Sequence, residues 1–87
     1  MHLKYVFETM ELDDRILAVP VGSHSDELRG VIKLNETAAL IFNLLKEETT
    51  EENIVDELKE VYDVPLEVLK TDVHSYIEGF QKEGLLA

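Results

Sequence analysis

The sequence predicts an α+β fold in which a small antiparallel sheet precedes three helices. Up to residue 34 the apolar side chains fall in short runs rich in β-branched and aromatic residues, whereas after Asn35 they recur every three to four positions. The chain has 87 residues with 45% hydrophobic side chains, which suits one hydrophobic core. We therefore expect residues 1–87 to form a single domain.

Three segments have the composition of β-strands. Residues 3–12 form the first, and residues 15–19 return beside it after a turn at the two aspartates 13–14, which closes a hairpin. Pro20 has no amide hydrogen and is expected to end the ladder pairing of the second strand. Residues 29–34 are predicted to form a short third strand, so that the three make a meander.

Two helices are predicted next. Asn35 is a suitable N-cap for a helix that runs to about Glu47, and Thr50 is a suitable N-cap for a second helix that ends near Asp63. Their expected apolar stripes are Ala38, Ile41, Phe42 and Leu45 in the first helix, and Ile54, Val55, Leu58, Val61 and Tyr62 in the second.

A third helix is predicted from Pro65, which is acceptable at a first helical position, to Gly84, which suits a C-cap. Gly79 lies inside this helix and costs about 1 kcal/mol relative to alanine. The expected stripe is Leu66, Leu69, Val73, Tyr76, Ile77 and Phe80. A helix-turn-helix pair beside a small sheet predicts a winged-helix-like architecture.

Many winged helices bind DNA, but the charge of this chain disfavours that function. The net charge is −11, and residues 35–87 carry thirteen acidic residues against four lysines. Residues 65–83, which would hold the recognition helix, carry four acidic residues and two lysines. Phosphate binding needs clustered Lys and Arg, so a DNA-binding winged helix is the alternative hypothesis and predicts salt-sensitive binding to duplex.

The residues offer little for catalysis. The chain has no cysteine, its histidines are scattered, and no metal-ligand spacing occurs. Residues 23–26 (Ser-His-Ser-Asp) place a hydroxyl, an imidazole and a carboxylate together, but adjacent positions in a polar loop rarely converge as nucleophilic catalysis requires. We expect a protein that is not an enzyme and has neither cofactor nor metal.

Three features of the sequence predict a cytoplasmic protein. Residues 1–5 lack the basic region and apolar run of a secretory signal. The longest nearly apolar stretch, residues 38–45, is less than half of a membrane span. The absence of cysteine fits a reducing compartment.

The third strand suggests a function of another kind. In a meander it lies at an edge, whose unpaired N–H and C=O groups can accept an extended peptide as an added strand. Gly30 and the flanking basic residues also fit ordinary edge protection, which is the commoner role of such an edge. A homodimer in which sheet edges pair with each other is a further alternative.

Several short motifs occur in a distinctive order. Residues 30–45 read GVIKLNETAALIFNLL and residues 50–55 read TEENIV; Tyr62, Asp72-Val73 and Gly84-Leu85-Leu86 follow. In this order and spacing, and over nearly the whole chain, the sequence resembles the PqqD family. The aromatic position of the first helix, often tryptophan in that family, corresponds to Phe42.

The resemblance implies a recognition element for ribosomally made precursor peptides. Such domains are similar to winged helices, and they bind the leader segment of the peptide as an added strand between strand three and helix three. They present it to a modifying enzyme, often a radical-SAM protein, as in the maturation of PQQ or of related peptides. The domain itself is a chaperone without catalysis or cofactor.

The candidate peptide-binding residues come from the edge strand and helix three. They are Arg29, Gly30, Val31, Ile32, Lys33, Lys70, Val73, His74 and Ile77. Val73 and Ile77 fit the hydrophobic core equally well. Lys33 and Lys70 would favour an acidic leader, whereas the negative field of the chain would favour a basic one.

Overall fold

A computed structural model describes residues 1–22 and 31–87. Three strands precede three helices, which confirms the predicted α+β fold; they are β1 (Val6–Leu12), β2 (Arg15–Val21), β3 (Ile32–Leu34), α1 (Glu36–Leu44), α2 (Glu51–Lys59) and α3 (Leu66–Lys82). The sheet is antiparallel with the order β1-β2-β3. Within these two ranges, none of the helices has the length and apolarity needed to cross a membrane.

The first two strands pair over a longer stretch than the sequence predicted. Pro20 lies opposite Phe7 and the ladder continues to Val21, so the expectation that pairing stops at Pro20 was wrong. β3 pairs with β2 only at residues 16–18, so within the described ranges Pro20 has a neighbouring strand on one side alone. A proline is tolerated at a position where one ladder hydrogen bond is not required.

The alternation of side chains gives the sheet a buried inner face and an exposed outer face. Phe7, Ala18 and Leu34 lie on the inner face and are buried. Val6 and Met10 lie on the outer face and are largely exposed. The helices therefore cover only the inner face.

Side-chain caps start α1 and α2 where the sequence predicted. The amide N–H of Ala38 donates to Asn35 Oδ1 at 2.8 Å, and the amide N–H of Asn53 donates to Thr50 Oγ1 at 3.1 Å. Each cap supplies an acceptor for an N–H group that has no partner inside its helix.

Both helices end earlier than predicted. α1 ends at Leu44 rather than near residue 47, and α2 ends at Lys59 rather than near residue 63. Val61 is consequently outside the helix and 60% exposed, not part of the apolar stripe. The periodicity continued past both helix ends because apolar residues also occur in the connections.

α3 is closed by a two-bond C-terminal motif. The amide N–H of Gly84 donates to the carbonyl of Gln81 and that of Leu85 donates to Phe80, each at 3.0 Å. Gly84 has a φ of 75°, the left-handed conformation that this motif requires and that glycine adopts without a steric penalty. The predicted role of Gly84 is confirmed, and Pro65 lies immediately before the helix.

The centre of the core is a chain of three aromatic rings from three parts of the sequence. Phe42 of α1 packs edge-on against Phe7 of β1, with ring centroids 5.0 Å apart, and against Phe80 of α3 at 5.7 Å. Edge-to-face aromatic pairs add about 0.5–1.5 kcal/mol beyond the area that they bury. Phe42 thus joins the sheet to the last helix.

Residues 1–4 hold the C-terminal segment and the α1–α2 connection together. The amide N–H of Leu3 donates to the carbonyl oxygen of Leu45 at 2.8 Å, and the amide N–H of Lys4 donates to the carbonyl oxygen of Leu85 at 2.7 Å. Leu3 also forms an isolated bridge with Leu86, so the first strand begins at residue 6 and not at residue 3. These contacts fix the segment that follows α3.

Glu48, in the connection between α1 and α2, is paired with the same N-terminal segment. Hydrogen bonds from the Met1 amino group and from the His2 ring hold the pKa of the Glu48 carboxyl below its ordinary value. The ionised carboxylate therefore favours the docked arrangement of residues 1–2.

Replacing the cap of α2 should measure its contribution directly. Thr50→Ala should lower the free energy of unfolding by about 1 kcal/mol, because the amide of Asn53 loses its acceptor. Urea denaturation followed by circular dichroism measures the change. Thr50→Ser retains the hydroxyl and should keep most of the stability; an equal loss in both variants would contradict a capping role.

Candidate functional site

A cleft of about 470 Å³ lies between β3 and α3. β3 has β2 on one side and, within residues 1–22 and 31–87, no strand on the other, so its second edge is open towards this cleft. An open edge carries backbone N–H and C=O groups that can form a further ladder. The cleft therefore combines a place for a strand with groups that can pair with it.

The cleft has an apolar floor and charged rims. Its floor includes Ala38 of α1, Phe80 of α3 and Leu85, all of them buried side chains that still border the cavity. Lys33 and Glu83 are exposed and border it from the strand and the helix, respectively. The residues lining the cleft are Val31, Ile32, Lys33, Leu34, Asn35, Ala38, Ser75, Tyr76, Gly79, Phe80, Glu83 and Leu85.

One end of the cleft is closed by a hydrogen bond between its two walls. Asn35 follows β3, and its Nδ2 donates to the hydroxyl of Tyr76 on α3 at 2.8 Å. The amide of Ala38 donates to Asn35 Oδ1, which fixes the side-chain orientation. A peptide backbone cannot pass between two atoms at this distance, so the hydrogen bond limits the cleft where Asn35 and Tyr76 meet.

The structure places the predicted strand residues at the cleft. Val31, Ile32 and Lys33 all border it, and Val31 is half exposed. Arg29 and Gly30 lie outside the described residues. Ile32 faces the inner side of the sheet, whereas Lys33 faces the opposite side, because neighbouring residues of a strand alternate.

The structure places the four predicted residues of α3 elsewhere. Val73 is fully buried and Ile77 is 3% exposed, so both belong to the core. His74 is exposed, and its Nδ1 lies 3.1 Å from Glu51 Oε1 of α2. Lys70 borders a second cleft, between α2 and α3. This face of α3 packs against the core and α2, away from β3.

Sequence reasoning missed the residues of α3 that line the cleft. Tyr76 and Gly79 of α3, and Glu83 immediately after the helix, recur at helical spacing. Tyr76 and Gly79 each precede a buried residue of the core stripe by one position. Tyr76 and Phe80 were expected only in the core. An available signal was Gly79, since an exposed glycine in a helix interior destabilises the helix unless another requirement favours it.

The second cleft, between α2 and α3, has a volume of about 530 Å³ and a different character. It contains no strand edge, and charged side chains predominate in its lining: Glu51, Glu52, Val55, Asp56, Lys59, Leu66 and Lys70. Within residues 1–22 and 31–87, no group of three or more His, Asp or Glu side chains is arranged to hold a metal ion. The β3–α3 cleft is therefore the candidate site.

The chemistry available in this cleft is that of binding. The strand edge offers alternating donors and acceptors to an extended chain, and the floor offers apolar surface to its side chains. Because Lys70 lies outside the cleft, Lys33 and Glu83 are the charged residues bordering it. Of the two lysines that would favour an acidic leader, Lys33 borders this cleft and Lys70 does not.

Comparisons with known proteins agree with this geometry. The family described as "Coenzyme PQQ synthesis protein D (PqqD)" matches residues 22–86. The fold is similar to that of a solved structure titled "TbiB1 in Complex with the TbiA(beta) Leader Peptide", with a TM-score of 0.73 and 20% sequence identity, covering 99% of this chain and 94% of that one. No curated protein sequence matches the chain.

Proposed function

We propose, because the chain belongs to the PqqD family, that it is a non-catalytic chaperone for a ribosomally made precursor peptide. Its 87 residues act as one recognition domain. The leader region of the peptide adds to the sheet as a strand beside β3, and the protein then presents the peptide to a modifying enzyme.

The observation that carries this proposal is the open edge of β3 beside an apolar cleft. Backbone pairing supplies affinity for any extended peptide, and the cleft supplies selectivity among side chains. The solved structure of similar fold contains a leader peptide, which supports a ligand of the same class here.

The partners follow from the same proposal. The peptide is a leader segment, and the modifying enzyme is of the radical-SAM class, either in PQQ synthesis or in the maturation of another peptide in the cytoplasm. Binding to duplex DNA is disfavoured because α3 carries more acidic than basic side chains.

NMR titration tests the binding site. We would use ¹⁵N-labelled protein and a synthetic peptide enriched from a random-peptide library on the immobilised protein. The amides of β3 and of residues 76–83 should shift on titration, because these segments form the two walls of the cleft. Shifts confined to residues 47–60 would contradict the proposal.

Sedimentation with and without the same peptide tests the competing use of the strand edge. A homodimer that pairs its β3 edges would dissociate as the peptide binds, since both need the same backbone groups. A dimer that persists when the peptide is bound must use another surface.

A failure to enrich any peptide from the library would contradict the proposed function.

A further inference from the structure

Gly79 is an exposed glycine in the interior of α3 for which the fold gives no reason. A Cβ built at this position meets no atom within 4 Å beyond its own helix. Its backbone is helical and needs no positive φ, unlike that of Gly84. A larger residue at this position would therefore not clash with the rest of the chain through its Cβ.

Glycine at this position nevertheless weakens the helix. It gains backbone freedom in the unfolded chain and so disfavours the helical conformation relative to alanine. Glycine at position 79 destabilises α3 without making room for any other part of the chain. Its presence is explained if a ligand occupies the space that a side chain would fill. The space concerned belongs to the cleft, since Gly79 is part of its lining.

The surroundings define the kind of group that fits there. Gly79 lies between Tyr76 and Glu83 along the cleft wall, and Phe80 and Ala38 contribute apolar surface to the same cleft. The wall from Tyr76 to Glu83 is roughly 10 Å long at the helical rise. That length matches roughly three residues of an extended strand, of which every second side chain points to the same face.

We propose that the missing side chain of Gly79 forms a notch that accepts one bulky apolar side chain of the added strand. The notch determines the size of the residue that the peptide can place against α3, so Gly79 is a specificity-determining residue. This inference rests on the proposed function. The expected ligand is an extended segment with a large aliphatic or aromatic residue at one fixed position.

Filling the notch tests the inference. Peptides enriched on the wild-type protein should share a bulky apolar residue at one position. Their affinity for Gly79→Leu, measured by calorimetry, should be roughly 10- to 100-fold lower than for the wild type, because the leucine occupies the apolar site of the bulky peptide side chain. Gly79→Ala should cause a smaller loss. Enrichment repeated on Gly79→Leu should select smaller residues at the same position.

Gln81→Leu is the matched control, because it adds the same side chain at an exposed position of α3 that does not line the cleft. Gln81→Leu should change the affinity for the peptide less than twofold, because substitutions at exposed positions outside a binding site have small effects. Gly79→Ala should raise Tm by roughly 4–8 °C, and Gly79→Leu should not lower it, because leucine also favours the helix over glycine. A Tm measured for both variants therefore separates weaker binding from unfolding.

The possible results separate this inference from the proposed function. If the wild-type protein enriches peptides that bind in the cleft and Gly79→Leu binds them equally well, the notch is excluded and the peptide-binding function stands. If Gln81→Leu weakens binding as much as Gly79→Leu does, the notch is again excluded. If no peptide is enriched on the wild type, both proposals fail.

Discussion

Methylating the backbone amides of a bound peptide at alternate residues should weaken its binding roughly 10- to 100-fold in one register and only slightly in the other. In an edge strand, the N–H groups of alternate residues face the neighbouring strand, and the rest face away. An N-methyl group removes the donor and obstructs close pairing with β3. The effect should be strong because strand addition places most of the polar contacts in the backbone.

The two methylated peptides serve as controls for each other. Both carry the same side chains and the same number of methyl groups, so solubility and general changes in backbone preference affect them equally. Fluorescence anisotropy with a labelled peptide measures both affinities. An equal loss in the two registers, or no loss in either, would contradict strand addition and indicate that the peptide binds through side chains or as a helix.

Phe42→Ala should cause the largest loss of stability among single changes in this protein, about 3–5 kcal/mol. The Phe42 side chain is fully buried and contacts both Phe7 and Phe80, so its removal leaves a cavity between the sheet and α3. Domains of this size are stable by about 5–15 kcal/mol in total. The variant should therefore be close to unfolding, as measured by urea denaturation at several temperatures.

Two further variants test the cause of this loss. Phe42→Leu keeps most of the apolar volume and should lose less stability than Phe42→Ala, since a smaller cavity remains. Val61→Ala removes apolar atoms from a side chain that is 60% exposed and should change stability by about 0.5 kcal/mol or less. A loss from Val61→Ala as large as that from Phe42→Ala would contradict the assignment of the core.

The helix starts were predictable because their causes are local. Asn35 and Thr50 each accept a hydrogen bond from the backbone three residues later, and Gly84 adopts the left-handed conformation that ends α3. Such interactions depend on a few consecutive residues. The helix ends after residues 44 and 59 were less predictable, because apolar residues continue into the connections.

The strand edge was predictable to the same extent. The composition of residues 29–34 predicted a strand, and its place in a meander predicted an open side. β3 lies at that edge of the sheet over Ile32–Leu34, while residues 29 and 30 fall outside the described ranges. The extension of β2 past Pro20 depended on the partial overlap of β3 with β2, which is a property of the register.

The helix wall of the cleft was decided by tertiary packing. An amphipathic stripe specifies which residues of α3 are buried, but two faces flank every stripe, and either can turn towards the sheet. Tyr76 and Gly79 border the cleft beside β3, whereas His74, which was predicted to line the cleft, contacts Glu51 of α2. The N-terminal contacts of Leu3 with Leu45 and Leu86 likewise join residues that are distant in sequence.

The sequence by itself determined the order of the elements, the caps of α1 and α2, most of each buried stripe and the presence of an edge strand; Val61 and Leu66, which the stripes included, are exposed. Each of these depends on periodicity or on hydrogen bonds between near neighbours, which the residue types encode directly. Only the tertiary structure decided which face of α3 borders β3 and which residues line the cleft. The rotation of a helix about its axis is set by side chains that reach it from the rest of the chain.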